Sequence, residues 1–383
     1  MKKPIITIAV VVFFLASCQK REAPNRPSPP SSPPPPKAAA AEDRVPSAQG
    51  SYADAVERVA PGVVTVRAER RARAPRQHPF FNDPLFRDFF GDMFQGNQPR
   101  QPRAQMALGS GVIVQPDGTI LTNHHVVDGA EQIKVELTNH RVFDAKVVGS
   151  DPPSDLAVLK INAKDLAALT LGDSDRVRVG DVALAIGNPL GIGQTVTAGI
   201  ISAKGRATGL SDGSFEDFLQ TDAPINQGNS GGALVNAQGE LIGINSQILS
   251  TSGGNIGIGF AIPSNMARNV MDQLVKTGKV HRGQLGVAIQ PMTPELASSF
   301  GLSEVRGVLV NAVTPNGPGA RAGIRRGDVI LAFNGTPVDD GNTLRNQVAS
   351  TMPGTEVNLT ILRDRQEQQV RVKLGEYQPR ESS

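Results

Sequence analysis

From residue 63 onward the chain reads as short apolar runs separated by glycine, proline, asparagine and aspartate. Runs at 63–66, 109–114, 119–122, 133–137, 142–148, 156–161, 182–186, 195–202, 233–235, 241–247 and 259–262 are each too brief for a helix and stop at turn-forming residues. Many short strands of this kind predict a β-barrel or sandwich pair. The stretch 265–277 breaks the rhythm, because Val270 and Leu274 are spaced to share one helical face. Ser264 stands at its start as a cap and Gly278 at its end as a stop. A shorter helix is expected over 52–59, ended by Pro61-Gly62.

After residue 282 the pattern restarts. Strands are expected at 284–290, 308–313, 328–333, 356–363 and 368–374, with helices near 295–300 and 342–350 and a short helix and turn at 320–327. Asn334-Gly335 is a strong hairpin-type turn. This second unit is of ordinary small-domain size. The tail from Glu376 is polar and expected to be loose.

Two stretches depart from the strand rhythm. Residues 67–105 carry Arg67, Arg70, Arg71, Arg73 and Arg76, and also Phe80, Phe81, Phe86, Phe89, Phe90 and Phe94. An irregular insertion of this length in a compact domain is functional or disordered. Its aromatics predict packing against another loop or another subunit. At the start, Lys2 and Lys3 precede an apolar run at 5–15, with the layout of an export signal. Leu15-Ala16-Ser17 before Cys18 resembles a bacterial lipoprotein cleavage box, which implies lipidation at Cys18. Residues 19–50 are rich in Pro, Ala and Ser and form an extended spacer rather than a core.

Composition narrows the function classes. A length of 383 residues suggests two or three units, and abundant Gly and Pro with no Trp suits short strands and turns. The formal charge of +3 gives no global attraction to nucleic acid or to a membrane surface. Cys18 is the single cysteine, so no intramolecular disulfide forms. No Cys/His cluster suggests a metal. The glycine-rich stretches 187–195 and 248–254 lack the Gly-Lys-Ser/Thr ending and the dinucleotide spacing, so no nucleotide cofactor is expected.

The chemistry centres on residues 220–235. Ser230 sits among small, turn-forming residues just before an apolar strand. A hydroxyl that attacks a carbonyl needs a fixed position, with backbone N–H groups aimed at the oxygen that becomes charged. Gly228 leaves room for substrate and lets its amide point into the site beside that of Ser230, while Gly231 and Gly232 allow the tight return. The common reading of such a stretch is a simple turn. A catalytic reading needs an imidazole and an orienting carboxylate elsewhere. Of His78, His124, His125, His140 and His281, only His124 and His125 end an apolar strand at a turn. Asp155 heads the strand 156–161, whereas Asp151 heads Asp-Pro-Pro, ordinary turn chemistry. The order His, Asp, Ser is a known arrangement of the triad.

Thr122-Asn123-His124-His125-Val126, Asp151-Pro-Pro-Ser-Asp155-Leu-Ala-Val and Gly228-Asn-Ser230-Gly-Gly resemble the three signature blocks of the HtrA/Deg serine proteases. The resemblance covers roughly residues 50–375, with the blocks in the family's order and spacing. It selects His125 over His124 and implies His125, Asp155 and Ser230 as the triad, with the Gly228 and Ser230 amides as the oxyanion hole. Pro224 departs from relatives, which often carry a small residue there. The implied fold is mainly β: a chymotrypsin-like double β-barrel followed by one α+β PDZ domain. Gln284-Leu285-Gly286-Val287 resembles the PDZ carboxylate-binding loop, where amides hold a terminal carboxylate and the next strand pairs with the peptide. Only one such unit is legible, so a second PDZ domain is not expected.

The resemblance further implies a homotrimer or multiples of trimers, and an insertion at 67–105 that regulates a neighbouring subunit's site. Stretches 187–195 and 248–254 resemble two further activation loops. Ile225 and Ile248 suggest a specificity pocket for small aliphatic side chains. The expected organisation is a signal at 1–18, a spacer at 19–50, a protease domain at 51–279, a PDZ domain at 280–376 and a tail at 377–383. The expected function is ATP-independent cleavage of unfolded or misfolded envelope proteins in the periplasm. By resemblance to lipoproteins that lack Asp after the lipidated cysteine, Gln19 implies the outer membrane rather than the inner for the lipid anchor. The alternatives are a regulatory protease cutting one membrane signalling protein, or a chaperone-like peptide-binding scaffold with little catalysis.

Overall fold

Val63–Arg70 (β1) opens a six-stranded barrel completed by Gln105–Gln115 (β2), Thr119–Thr122 (β3), Gln132–Glu136 (β4), Val142–Asp151 (β5) and Leu156–Ile161 (β6). The computed structural model describes residues 51–70, 105–188, 193–208, 215–226, 228–248 and 256–378. The Cys18 signal, the 19–50 spacer, most of the aromatic insertion at 67–105 and parts of the stretches 187–195 and 248–254 lie outside the described residues.

The strands pair in the order β1-β2-β3-β6-β5-β4, and β4 returns to β1 to close the barrel. Closure removes the unpaired edges that an open sheet would expose. Every second residue of β1 points inward, so Val64, Val66 and Ala68 bury against Ile113, Ile120, Val135 and Leu159. A second closed barrel follows: Val182–Gly187 (β7), Thr195–Arg206 (β8), Phe218–Thr221 (β9), Ala233–Val235 (β10), Leu241–Ile248 (β11) and Gly259–Pro263 (β12). Its order is β10-β11-β12-β9-β8-β7, with Ala185, Leu219, Ile225, Leu234 and Ala261 in its interior.

The other faces of several of these strands meet. Val112, Leu121 and Leu156 of the first barrel share one buried cluster with Leu184, Ile186 and Ala233 of the second. The helix Ser264–Thr277 seats Ala267, Val270, Met271 and Leu274 in the same cluster. Fully burying an aliphatic side chain contributes about 1.5–3 kcal/mol, so this seam is a principal source of cohesion. Gly278 ends the helix at φ 75° as expected. Ser264 does not cap it: the serine is the first helical residue, and its buried hydroxyl donates to the Gly172 carbonyl at 2.9 Å. A tertiary acceptor has taken the group that local sequence assigns to the helix end.

The second unit is built on a six-stranded sheet. Val287–Pro291 (β14), Val308–Val313 (β15), Val329–Phe333 (β16), Glu356–Arg363 (β18) and Gln366–Lys373 (β19) run in the order β14-β15-β16-β18-β19, with Thr336–Pro337 (β17) on β16. Gly283–Gln284 (β13) pairs separately with Gly375–Glu376 (β20). The helix Gly341–Ser350 is capped by Asp340, which accepts from the Thr343 amide at 2.7 Å, and it buries Leu344 against Phe333 and Leu359. Glu376 and Tyr377, expected to belong to a loose tail, are instead held in place. Glu376 lies 2.7 Å from His281, and the Tyr377 ring meets Phe215 edge-on at 5.3 Å.

Candidate active site

The carboxylate of the site is presented by a short, tightly wound turn. Asp151 accepts from the Ser154 amide at 3.1 Å and starts the 3-10 turn Pro152–Ser154, which hands over to Asp155 in the left-handed region at φ 54°. Aspartate tolerates this conformation better than most residues. There the Asp155 carbonyl accepts from the Asn123 side chain at 3.0 Å and the His124 amide at 3.1 Å. Its carboxylate accepts from the His125 amide at 3.0 Å and lies 2.9 and 2.8 Å from His125 Nδ1. His124 and His125 open the one-turn helix His124–Val127 beyond β3, rather than ending the strand itself. Asp155 is only 6 % exposed. Burial pushes its carboxyl up, but the His125 charge and hydrogen bonds outweigh this and hold it below the usual carboxylate range.

Ser230 is fixed from both barrels. Its carbonyl accepts from the Ser110 amide of β2 at 2.8 Å, and its hydroxyl donates to the Ser246 carbonyl of β11 at 2.9 Å. Gly231 follows at φ 81°, where an added Cβ would stand 2.2 Å from the Ser110 carbonyl oxygen. Only glycine fits that approach. Gly228 has φ 93°, again a conformation suited to glycine. The amides of Asn229, Gly231 and Gly232 are bonded to the Asn226, Asn245 and Asn229 carbonyls. Among the described residues, those of Gly228 and Ser230 donate to no protein group. Two amides of one loop are thus left for a developing negative charge.

The structure therefore gathers His125, Asp155 and Ser230 at the seam, with Ser246 between the last two: its hydroxyl donates to Asp155 Oδ2 at 2.9 Å. His124 faces elsewhere, toward the Ser150 hydroxyl at 3.2 Å. Ile225 and Ile248 both lie in the interior of the second barrel, where Ile225 packs against Gly259. Gln284, Leu285, Gly286 and Val287 lie apart from the triad at the head of β14. Among the described residues the Leu285 and Gly286 amides donate to no protein group, and β14 is the sheet edge. Sequence reading missed Ser246, Ser110 and Arg70, whose guanidinium donates to the His125 carbonyl at 2.8 Å. The available signals were polar Asn245-Ser246 inside an otherwise apolar strand and Ser110 between two strand glycines.

Chemically, an ionised Asp155 makes His125 Nδ1 the donor, which leaves Nε2 of the neutral ring as the proton acceptor. Among the described residues no group of three or more His, Cys, Asp or Glu could hold a metal ion.

The chain is similar to known proteins over most of its length. Residues 109–244 match the trypsin-like peptidase domain, and residues 283–374 match the PDZ domain. The chain is 46% identical over 335 residues to a probable periplasmic serine protease do/HhoA-like of Haemophilus influenzae, covering 86% of this chain and 72% of that protein. It is 48% identical over 344 residues to the periplasmic serine endoprotease DegP of Escherichia coli, covering 85% and 72%. Among solved structures it is similar to the HtrA-type protease AlgW with tripeptide, at TM-score 0.69 and 47% identity, covering 86% of this chain and 98% of that one.

Proposed function

The chain belongs to the HtrA/Deg family of serine endoproteases, and from that premise we propose that Ser230 is its nucleophile, His125 its general base and Asp155 the residue that orients His125. The enzyme is a serine endopeptidase with a trypsin-like domain and a PDZ domain. The observation that carries the assignment is the continuous bonding from His125 through Asp155 and Ser246 to Ser230, beside the Gly228 and Ser230 amides, which donate to no protein group among the described residues. A hydroxyl has one hydrogen, so while Ser230 donates to Ser246 it does not donate to His125. Attack begins when that hydrogen turns to His125 Nε2. The imidazolium is stabilised by Asp155, the oxyanion is held by the Gly228 and Ser230 amides, and His125 then protonates the leaving amine. Water repeats the sequence on the acyl-enzyme.

The substrates in this reading are unfolded or misfolded envelope proteins, cut without ATP. The free edge of β14 and the amides of Leu285 and Gly286 support capture of a C-terminal peptide as an added strand. Residues 51–279 form the protease domain and 280–376 the PDZ domain. Ile225 and Ile248 back a pocket for small aliphatic side chains, and the protein works as a trimer or multiple of trimers. Export with lipidation at Cys18 anchors it, on a spacer at 19–50, to the periplasmic face of the outer membrane. The deciding experiment is casein cleavage by the wild type and Ser230→Ala, with and without a hydrophobic C-terminal peptide. Cleavage lost with Ser230 and stimulated by the peptide supports the reading; a Ser230→Ala enzyme that still cuts overturns it.

A further inference from the structure

Gly228 adopts a backbone conformation suited to glycine, at φ 93°, yet its amide must hold one direction for an oxyanion to be met. Glycine gives no steric help in this, since it crosses φ/ψ space more freely than any other residue. Something outside the loop has to fix it.

Ser110, the central serine of Gly109-Ser-Gly111 in β2 of the other barrel, reaches this loop. Its hydroxyl donates to the Gly228 carbonyl at 2.6 Å and accepts from the Asn188 amide at 2.9 Å. Its own amide donates to the Ser230 carbonyl at 2.8 Å, and its carbonyl accepts the Thr122 hydroxyl at 2.7 Å. The residue is fully closed to solvent. A trans peptide group points its C=O and N–H in opposite directions. The Gly228 carbonyl and the Asn229 N–H belong to one such group, and the Asn229 end is bonded to the Asn226 carbonyl at 2.9 Å. The plane is therefore pinned at both ends, and Ser110 supplies one of the pins.

We propose that Ser110 is a positioning residue for the oxyanion site: its hydroxyl holds the Gly228–Asn229 peptide plane and ties it to the exit of β7 at Asn188. The inference rests on the assignment of Ser230 and of the Gly228 amide made above. The Gly228 N–H belongs to the preceding peptide group, which is hinged to the pinned plane at the Gly228 Cα. Removing the hydroxyl frees ψ of Gly228 and lets that hinge, and the amide it carries, shift out of position for part of the time. Ground-state binding of substrate, which uses other groups, is untouched. The signature is a loss in kcat with KM unchanged, since only an interaction stronger in the transition state has been weakened.

The test compares the wild type, Ser110→Ala, Ser110→Thr and Ser230→Ala on a peptide substrate, and follows phosphonylation of Ser230 by a fluorophosphonate. Circular dichroism verifies folding at the assay temperature. Ser110→Ala is expected to lower kcat by about 10- to 100-fold, somewhat less than the loss of a direct oxyanion donor, with KM within about twofold and phosphonylation slowed by a similar factor. Ser110→Thr, which keeps the hydroxyl, recovers most of the rate. A folded Ser110→Ala enzyme with wild-type kcat and labelling overturns the proposal, as does a loss expressed in KM alone. Activity or labelling that survives in Ser230→Ala refutes the parent assignment instead, so the two failures are distinguishable.

Discussion

The hydroxyl of Ser246 donates to Asp155 Oδ2 at 2.9 Å, at a point where both residues are closed to solvent. A buried carboxylate is costly unless its lone pairs are satisfied, and the His125 amide and ring supply its other donors. Ser246→Ala removes one donor and keeps the backbone carbonyl that Ser230 uses. A hydrogen bond to a charged group contributes about 1.5–3 kcal/mol, so kcat/KM is expected to fall by about 10- to 100-fold. The depressed Asp155 carboxyl contributes stability above its unfolded pKa, and that contribution is lost as pH falls through the folded value. Losing a donor weakens the depression, so acid unfolding of Ser246→Ala should begin at higher pH. Steady-state kinetics and an acid titration followed by near-UV circular dichroism check both.

The two adjacent histidines separate cleanly. His125 contacts Asp155 through both its amide and its ring, whereas His124 reaches Ser150 and lies 3.7 Å from Asp128. His125→Ala should match Ser230→Ala in losing several orders of magnitude of kcat, because the triad acts as a unit. His124→Ala should stay within about tenfold of wild type, the scale of one lost neutral hydrogen bond. Peptide hydrolysis by the two purified variants decides the register; equal losses would show that it was misread.

Much of this was legible in the chain. Short apolar runs between turn residues mark both barrels, because several strands are buried on both sides, one in a barrel and the other at the seam. The blocks around His125, Asp155 and Ser230 mark the seam because each combines a turn with a fixed strand or helix start. The supporting groups were not legible, for a physical reason: their meaning lies in partners far away. Ser110 is 118 positions from Gly228 and Ser246 is 91 from Asp155. A serine within a strand has no local signature of either bond. Ser264 shows the converse, since a good local capping position yielded to a carbonyl 92 residues distant.

A pH-dependent contribution to stability is expected from Asp217. Burial, with Asp175 and with Asp340 of the second unit nearby, pushes its carboxyl up to about 6, against the pull of Lys204. Because the folded value is raised, the folded state holds the proton more tightly between about pH 4 and 6. The cost of ionising Asp217 is absent below that window and fully present above it. Asp217→Asn should therefore stabilise the protein at pH 7.5 by on the order of 1 kcal/mol, after allowance for partial exposure. The gain should shrink to nothing by about pH 3, below both the unfolded and the folded values, where both forms are neutral. Thermal melts of Ser230→Ala with and without Asp217→Asn, run across this range, provide the check; a gain independent of pH would contradict it.

Arg282, at the junction of the two units, closes on Asp151 with two hydrogen bonds of 2.8 and 2.5 Å and lies over the Phe215 ring at 4.6 Å. Both side chains are buried. Asp151 is thus more than a turn former, since the same carboxylate starts the turn that presents Asp155. Breaking a buried pair from one side strands the other charge and costs about 3–5 kcal/mol, whereas replacing both partners by apolar residues of similar volume is often neutral. Arg282→Ala should accordingly be severely destabilising, and Asp151→Leu with Arg282→Met should recover most of the loss. The recovered double variant separates two roles. If the pair only adds cohesion, its kcat returns with its stability. If the Asp151 carboxylate is needed to shape the turn before Asp155, stability returns while kcat stays low. The accepted hydrogen bond from the Ser154 amide favours the second outcome. Urea unfolding in the Ser230→Ala background and peptide hydrolysis in the active enzyme measure the two quantities; an Arg282→Ala loss under about 1 kcal/mol would reduce the pair to the rank of a surface contact.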